Sequence, residues 1–387
     1  MVIPALAVIV PLSIVFILSG LVINLIQAAC FLVVRPVSKR LYRRMVRAMS
    51  ELLWLQLVCI VDWWAGVKVQ VFADPETARM MGKEHALCLS NHRSDIDWLV
   101  GWVAGDRSGC LGSTLGVIKK SSRYLPALGW SMWFSEFVFV ERSWDKDENT
   151  LKEGLQRFED YPLPFWFAVY AEGTRFTKAK LIAAQEYAAS AGLPIPRNVL
   201  IPRTKGFVAA VRHMRSFVPA IYDVTVAIPK TSLPPTMFSL IKRQPSVAHI
   251  HFKRYSMKDL PESDEEIAQW CRDLYVSKDS LLDKHAAEDT FADEYLLDTK
   301  RSLRSLLVMS FSACCVFLGL IKFLQWSSLL SIWKGIAILF AILAATVLSM
   351  QSLIRYSQSE RSTTAKIAPA KQKNAGQTSQ SNREKLH

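Results

Sequence analysis

Residues 86–97 read Ala-Leu-Cys-Leu-Ser-Asn-His-Arg-Ser-Asp-Ile-Asp. The apolar run 86–90 has the length and composition of a buried strand, and it stops abruptly at Asn91-His92-Arg93-Ser94-Asp95. Ile96-Asp97-Trp98-Leu99-Val100 then resumes an apolar pattern that predicts a helix over about 97–104. A strand, a polar loop and a helix in succession form the unit of α/β architecture, where ligands bind at the carboxyl ends of strands. His92 and Asp97 flank such a loop.

Imidazole can take up a proton near neutral pH and give it back, and a carboxylate on its far nitrogen fixes tautomer and orientation. His92 is therefore the candidate base and Asp97 its orienter. Ser94-x-x-Asp97 also matches a helix capping box, in which Asp97 would serve the helix start. The two roles are compatible, and an isolated His-x4-Asp favours the second.

Working outward, apolar runs predict strands at 67–72, 116–119, 137–141, 165–171, 218–228 and 247–255, with helical patterns near 149–159, 178–191 and 263–278. This alternation places one α/β domain at residues 60–290, a mixed sheet flanked by helices.

The ends of the chain differ in character. Residues 1–34 carry no charge and are followed by Arg35, Lys39, Arg40, Arg43, Arg44 and Arg47, with no acid among them. The segment reads as a retained amino-terminal membrane anchor, with Pro4 and Pro11 placing the start of its continuous helix near residue 12. As a helix it would be about 50 Å long against a hydrocarbon core of about 30 Å, which leaves a simple span and a bent or interfacial path both open. Residues 35–59 read as a basic and interfacial segment, with Leu52–Val61 resting on the membrane. Residues 303–354 read as a transmembrane hairpin built from 305–321 and 335–354, and residues 355–387 as a disordered basic tail. The flanking cations put the domain and tail on the cytoplasmic side and the amino terminus in the lumen.

The net charge of +13 gathers beside the membrane segments rather than along one helix face, which favours anionic lipid over nucleic acid as partner. The seven cysteines show no metal spacing and close no disulfide framework. His249 and His251 alternate on one strand face without a third ligand nearby, so they read as ordinary strand residues.

Three further strand ends carry polar residues. Glu172-Gly173-Thr174-Arg175 follows 165–171 and can present backbone amides, a hydroxyl and a guanidinium to an anion. Glu141-Arg142 follows 137–140, and Lys119-Lys120-Ser121-Ser122-Arg123 follows 117–118. Taken singly, these read as a common turn, a surface ion pair and a solvated charge run.

Together the blocks resemble the glycerolipid acyltransferase family. Its Asn-His-x4-Asp block stands at Asn91–Asp97, its Gly-Trp to arginine block is similar to Gly129-Trp130 through Arg142, and its Glu-Gly-Thr-Arg block stands at 172–175. Its proline-containing apolar block looks like Val218-Pro219-Ala220-Ile221-Tyr222, although Ile201-Pro202-Arg203-Thr204-Lys205-Gly206-Phe207 leaves its start ambiguous. Glu141 stands where many members have Asp. Nearly the whole chain is similar to the plant endoplasmic-reticulum branch that acylates 1-acylglycerol 3-phosphate.

The resemblance implies transfer from acyl-CoA, as substrate rather than cofactor, to the 2-hydroxyl of lysophosphatidic acid. It implies His92 as base with Asp97 behind it, and no metal. It implies Arg142, Gly173, Thr174 and Arg175 around the acceptor phosphate, with Glu172 orienting Arg175 or a substrate hydroxyl. Lys119 and Lys120 would meet phosphate of either substrate, and the region of Asn91 or nearby amides would face the oxyanion. Another lysophospholipid acceptor such as lysophosphatidylinositol is the alternative, and a non-catalytic membrane scaffold the reading from a different class.

Overall fold

Strands form where successive apolar side chains can be buried on opposite faces. In the computed structural model, which describes residues 2–291, 295–297, 300–327 and isolated positions between 333 and 348, β1 (Val67–Ala73), β2 (Ala86–Ser90), β3 (Thr114–Lys119) and β4 (Val138–Val140) are followed by β5 (Trp166–Val169), β6 (Ala220–Ala227), β7 (Ser246–Ser256) and β8 (Tyr295–Leu296). They make one mixed sheet of order β4-β3-β5-β2-β6-β7-β1-β8. The five strands β4, β3, β5, β2 and β6 run parallel, β7 is antiparallel to β6, and β1 is parallel to β7.

The helices are α1 (Val2–Val37), α2 (Lys39–Cys59), α3 (Pro75–Met80), α4 (Asp97–Arg107), α5 (Leu128–Phe134), α6 (Trp144–Gln156), α7 (Lys178–Ala191), α8 (Thr204–Met214), α9 (Met237–Ile241), α10 (Asp264–Glu288) and α11 (Leu303–Ser327). The period-two alternation of the strands divides the core. Ala86 and Cys88 of β2 face a cluster that includes Trp54, Leu99 and Val103, whereas Leu87 and Leu89 face one that includes Leu155, Phe207 and Tyr275. Helices α2 and α4 therefore cover one face, and α6, α8 and α10 the other.

One expectation is revised. The helix α1 runs unbroken through Pro11, because Pro4 stands in the first turn, where it has no intrahelical N–H bond to lose, and Pro11 costs only one bond of an otherwise regular apolar helix. The stretch after Arg47 packs largely on the domain, with Leu52 left exposed. Leu53, Trp54, Leu55 and Val58 are fully buried in the core, and the Trp54 ring lies 4.2 Å from that of Trp102. The amphipathic α2 spends its apolar face on the domain.

The carboxyl-terminal half of α1 docks on α2 and α5 through buried polar groups. The Gln27 amide donates to Ser50 Oγ at 3.0 Å and Ser131 Oγ at 2.9 Å, and Asn24 donates to Gln27 Oε1 at 3.0 Å and to the Ala127 carbonyl at 3.3 Å. A Cβ on Gly20 would stand 2.5 Å from that of Ala127, so the helices approach too closely for any larger residue. Among the described residues, two helices, Ala7–Val37 and Leu303–Trp326, are long and apolar enough to cross a membrane. The second span of the carboxyl-terminal hairpin and the tail lie largely outside the described residues.

Candidate active site

Because β2 and β5 are parallel neighbours, with Ala86 opposite Trp166 and Leu89 opposite Val169, their carboxyl ends release the 91–96 and 170–177 loops side by side. The strands between them in sequence, β3 and β4, lie beyond β5. The blocks around His92, Arg142 and Glu172, separated in sequence, thus leave the same edge of the sheet.

His92 Nδ1 lies 2.8 Å from Asp97 Oδ2, and the same oxygen accepts the Ser94 backbone N–H at 2.8 Å. One carboxylate oxygen thereby orients the imidazole and holds the loop, but the capping box does not form: the helix begins at Asp97 after Ile96, with no side-chain cap, and Ser94 Oγ donates to the Pro235 carbonyl instead. The bond fixes a proton on Nδ1 and leaves the Nε2 lone pair without a partner among the described residues. The His92 ring packs against Tyr170 with centroids 4.7 Å apart, and the Asp97 side chain is buried. A buried carboxylate behind a partly open imidazole is the arrangement of a general base with its orienter.

Asn91 is committed elsewhere. Its side chain accepts the Val226 N–H at 2.7 Å and donates to the Val226 carbonyl at 3.0 Å, extending the β2–β6 ladder by one side-chain rung. It pins the loop through both ends of its side-chain amide.

Glu172 has a partner that the sequence did not disclose. The residue is buried, and its Oε1 accepts the His92 backbone N–H at 3.2 Å while Oε2 has no hydrogen-bond partner among the described residues. Burial, opposed by the His92 N–H bond and the Lys278 charge, pushes its carboxyl up to about 8. Behind it, Lys278 of α10 makes an ion pair with Asp223 of β6 and donates to the Val224 carbonyl at 2.8 Å, and Tyr275 donates to the Ser90 carbonyl at 3.0 Å.

Gly173 adopts φ +65°, and a Cβ there would press on Arg203 Cδ at 3.1 Å. The turn carries Arg175, whose Nη1 lies 3.8 Å from Asp95 Oδ2. Burial lowers the Arg175 pKa, Asp95 and Asp97 oppose that, and Arg142 adds to it. Arg142 itself sits at φ +65° just after β4, a conformation rare for a residue with a side chain.

Sequence reading missed two members of this group. Lys180, in the first turn of α7, reaches Thr174 Oγ1 at 2.6 Å and the Arg175 carbonyl at 3.1 Å. Its pKa is lowered by burial and then by Arg175, Arg142 and Arg203. Arg203 is tied to the turn by its N–H on the Ala171 carbonyl at 2.7 Å. Arg142 and Arg203 add to the lowering at Lys180, and the four cations together form an anion-attracting cluster.

The remaining candidates lie apart. Lys120 is exposed and bonds Glu141 at 2.5 Å, and Lys119 ends β3 on the same edge. Pro219 precedes β6, whose first residue Ala220 pairs with Ala86, so it stands at the opposite end of the sheet from His92. The other proline-containing stretch, 201–207, brings Arg203 to the site instead.

The sequence matches the family model described as Acyltransferase over residues 70–229 and the one described as Acyltransferase C-terminus over residues 239–312. It is 65% identical over 97% of its length to 1-acyl-sn-glycerol-3-phosphate acyltransferase 2 of Brassica napus, 96% of which is covered. The chain belongs to the acyltransferase family. The Arabidopsis thaliana protein of the same name is 65% identical over 95% of either chain, and 1-acyl-sn-glycerol-3-phosphate acyltransferase gamma of Homo sapiens is 38% identical over 82% of this chain and 80% of its own. The crystal structure of the 1-acyl-sn-glycerophosphate acyltransferase PlsC from Thermotoga maritima overlaps 70% of this chain and 97% of that one at 17% identity and a TM-score of 0.37, too loosely to bear on the fold. This acyltransferase is an enzyme, and its two apolar helices are consistent with a membrane protein.

Proposed function

We propose that the enzyme transfers an acyl group from acyl-CoA to the 2-hydroxyl of 1-acyl-sn-glycerol 3-phosphate, giving phosphatidic acid and CoA. The observation that carries this reading is the oriented His92–Asp97 pair beside the cation cluster of Arg142, Arg175, Lys180 and Arg203, a base next to an anion pocket. The names of the relatives supply the acceptor.

An alcohol is a weak nucleophile at neutral pH, so His92 Nε2 removes its proton as the oxygen attacks the thioester carbonyl. Asp97 stabilises the imidazolium that forms. Collapse of the tetrahedral adduct expels the CoA thiolate, a good leaving group because a thiol ionises near a pKa of about 8.5. The imidazolium proton then neutralises it. The acceptor phosphate sits among the four cations, and Glu172 holds the loop that carries the base. Apart from acyl-CoA, which is a substrate, the scheme needs no cofactor. The apolar helices and the basic residues flanking α1 support a reaction at a membrane, and we assign it to the cytoplasmic face of the endoplasmic reticulum.

The test is transfer of labelled acyl groups by membranes expressing this chain in an acyltransferase-deficient background, against lysophosphatidic acid, other lysophospholipids and glycerol 3-phosphate. The proposal expects phosphatidic acid from lysophosphatidic acid with intact His92 and none with His92→Ala. Turnover of a different acceptor alone would move the assignment to that headgroup.

A further inference from the structure

A second basic pocket, of about 340 Å³, lies where the end of α1 meets α5, β4 and α6, and its lining includes none of His92, Arg142, Arg175 or Lys180. Two aromatic rings shape it. Phe31 of α1 and Trp133 of α5 lie with centroids 5.2 Å apart, the Arg35 guanidinium covers the first at 4.9 Å, and the Arg123 guanidinium covers the second at 5.7 Å. Stacking fixes both planar forks while leaving their N–H edges free, and neither has a hydrogen bond or ion pair among the described residues.

Each acid lining the pocket pairs with a group other than Arg35 and Arg123. Glu141 is held by Lys120 at 2.5 Å and Lys146 at 3.2 Å, Asp147 accepts the Glu141 and Ser143 backbone N–H groups at 2.8 Å each, and Glu136 accepts Arg43 Nε at 2.7 Å through Oε2, its buried Oε1 having no hydrogen-bond partner among the described residues. The neighbouring guanidiniums thus carry uncompensated like charge, which an anion relieves with charge-assisted bonds. Arg35 stands in the last turn of the apolar α1, beside exposed Leu32, Val33 and Val37. Cations at such a helix end lie at headgroup depth when the apolar surface enters lipid.

We propose that this pocket is a second anion site, which binds the phosphate of an anionic membrane phospholipid between Arg35 and Arg123. It stands independently of where the acyl acceptor binds.

The test uses the full-length protein in detergent, delipidated and then supplied with phosphatidylglycerol or phosphatidylcholine, with retained lipid counted by native mass spectrometry. The wild type should retain phosphatidylglycerol in preference, Arg35→Gln/Arg123→Gln should weaken that retention about tenfold, and Arg175→Ala should leave it unchanged. Arg123→Gln alone, which leaves α1 intact, should reduce it measurably if the double variant misfolds. Equal retention by wild type and either pocket variant would overturn the proposal, as would loss of retention in Arg175→Ala. Displacement of the lipid by added CoA would also overturn it, assigning the pocket to nucleotide phosphate.

Discussion

Glu172 accepts the backbone N–H of His92 at 3.2 Å across 80 residues of sequence, tying the ends of β2 and β5 together directly beneath the imidazole. The carboxyl group that does this is buried and therefore close to neutral at physiological pH, which separates its role from that of Asp97, the buried partner of the ring.

That separation gives a pH signature. Glu172 ionises at about 8 in the folded protein against an ordinary value of 4.5. The native state therefore keeps a proton that the unfolded chain releases, and the contribution of this group to stability is full below about pH 4.5 and is lost as pH rises through about 8. Thermal melts in detergent between pH 5 and 8.5 should show a falling Tm, with a shallower fall in Glu172→Gln. Equal slopes would remove Glu172 as the source.

Asp97→Asn preserves the shape of the pair but not the charge behind the imidazolium. Its kcat should fall by about 10²- to 10⁴-fold with little change in KM for the acceptor, and His92→Ala should fall at least as far. Both proteins should remain membrane-associated and folded by circular dichroism. A KM effect with preserved kcat would reassign the pair to binding.

Arg175→Ala and Lys180→Met should act on the acceptor instead. Each removes a charge-assisted contact, so KM for lysophosphatidic acid should rise by about 10- to 100-fold while kcat changes less. An unchanged KM in Lys180→Met would leave the lysine a structural clamp on Thr174.

Asn91→Ala should be a folding defect. It orphans the buried N–H and carbonyl of Val226, at a cost of about 1–3 kcal/mol for each. Lower yield and lower Tm are expected, with near-normal turnover in the protein that survives. A stable but inactive variant would put Asn91 in the chemistry.

What the sequence disclosed follows from the range of each interaction. The core strands are apolar runs bounded by polar residues, so local pattern is enough to find them, and the His92–Asp97 pair closes within one turn. The pairing of His92 with Glu172 depends on β5 sitting beside β2 although two strands intervene in the chain, and no local pattern encodes that order. Arg203 and Lys180 escaped for the same reason, since a cation in a loop and one in a first helical turn look solvated until the fold places them together. Asn91 sat in a legible block, but its bonds go to a strand 135 residues away. The second span of the hairpin, expected at 335–354, falls largely outside the described residues.

The ladder of Asn24, Gln27, Ser50 and Ser131 means that the first helix is not a leash. A fragment starting at Lys39 would uncover the Ser50 and Ser131 hydroxyls, the Ala127 carbonyl and the apolar groove they rim, all now sealed by α1. Shortening the chain to obtain a soluble catalytic domain should yield aggregate rather than enzyme, whereas replacing the exposed apolar surface of α1 around Leu25, Leu32 and Val33 with polar residues, leaving Asn24 and Gln27 intact, offers a route that keeps the groove closed.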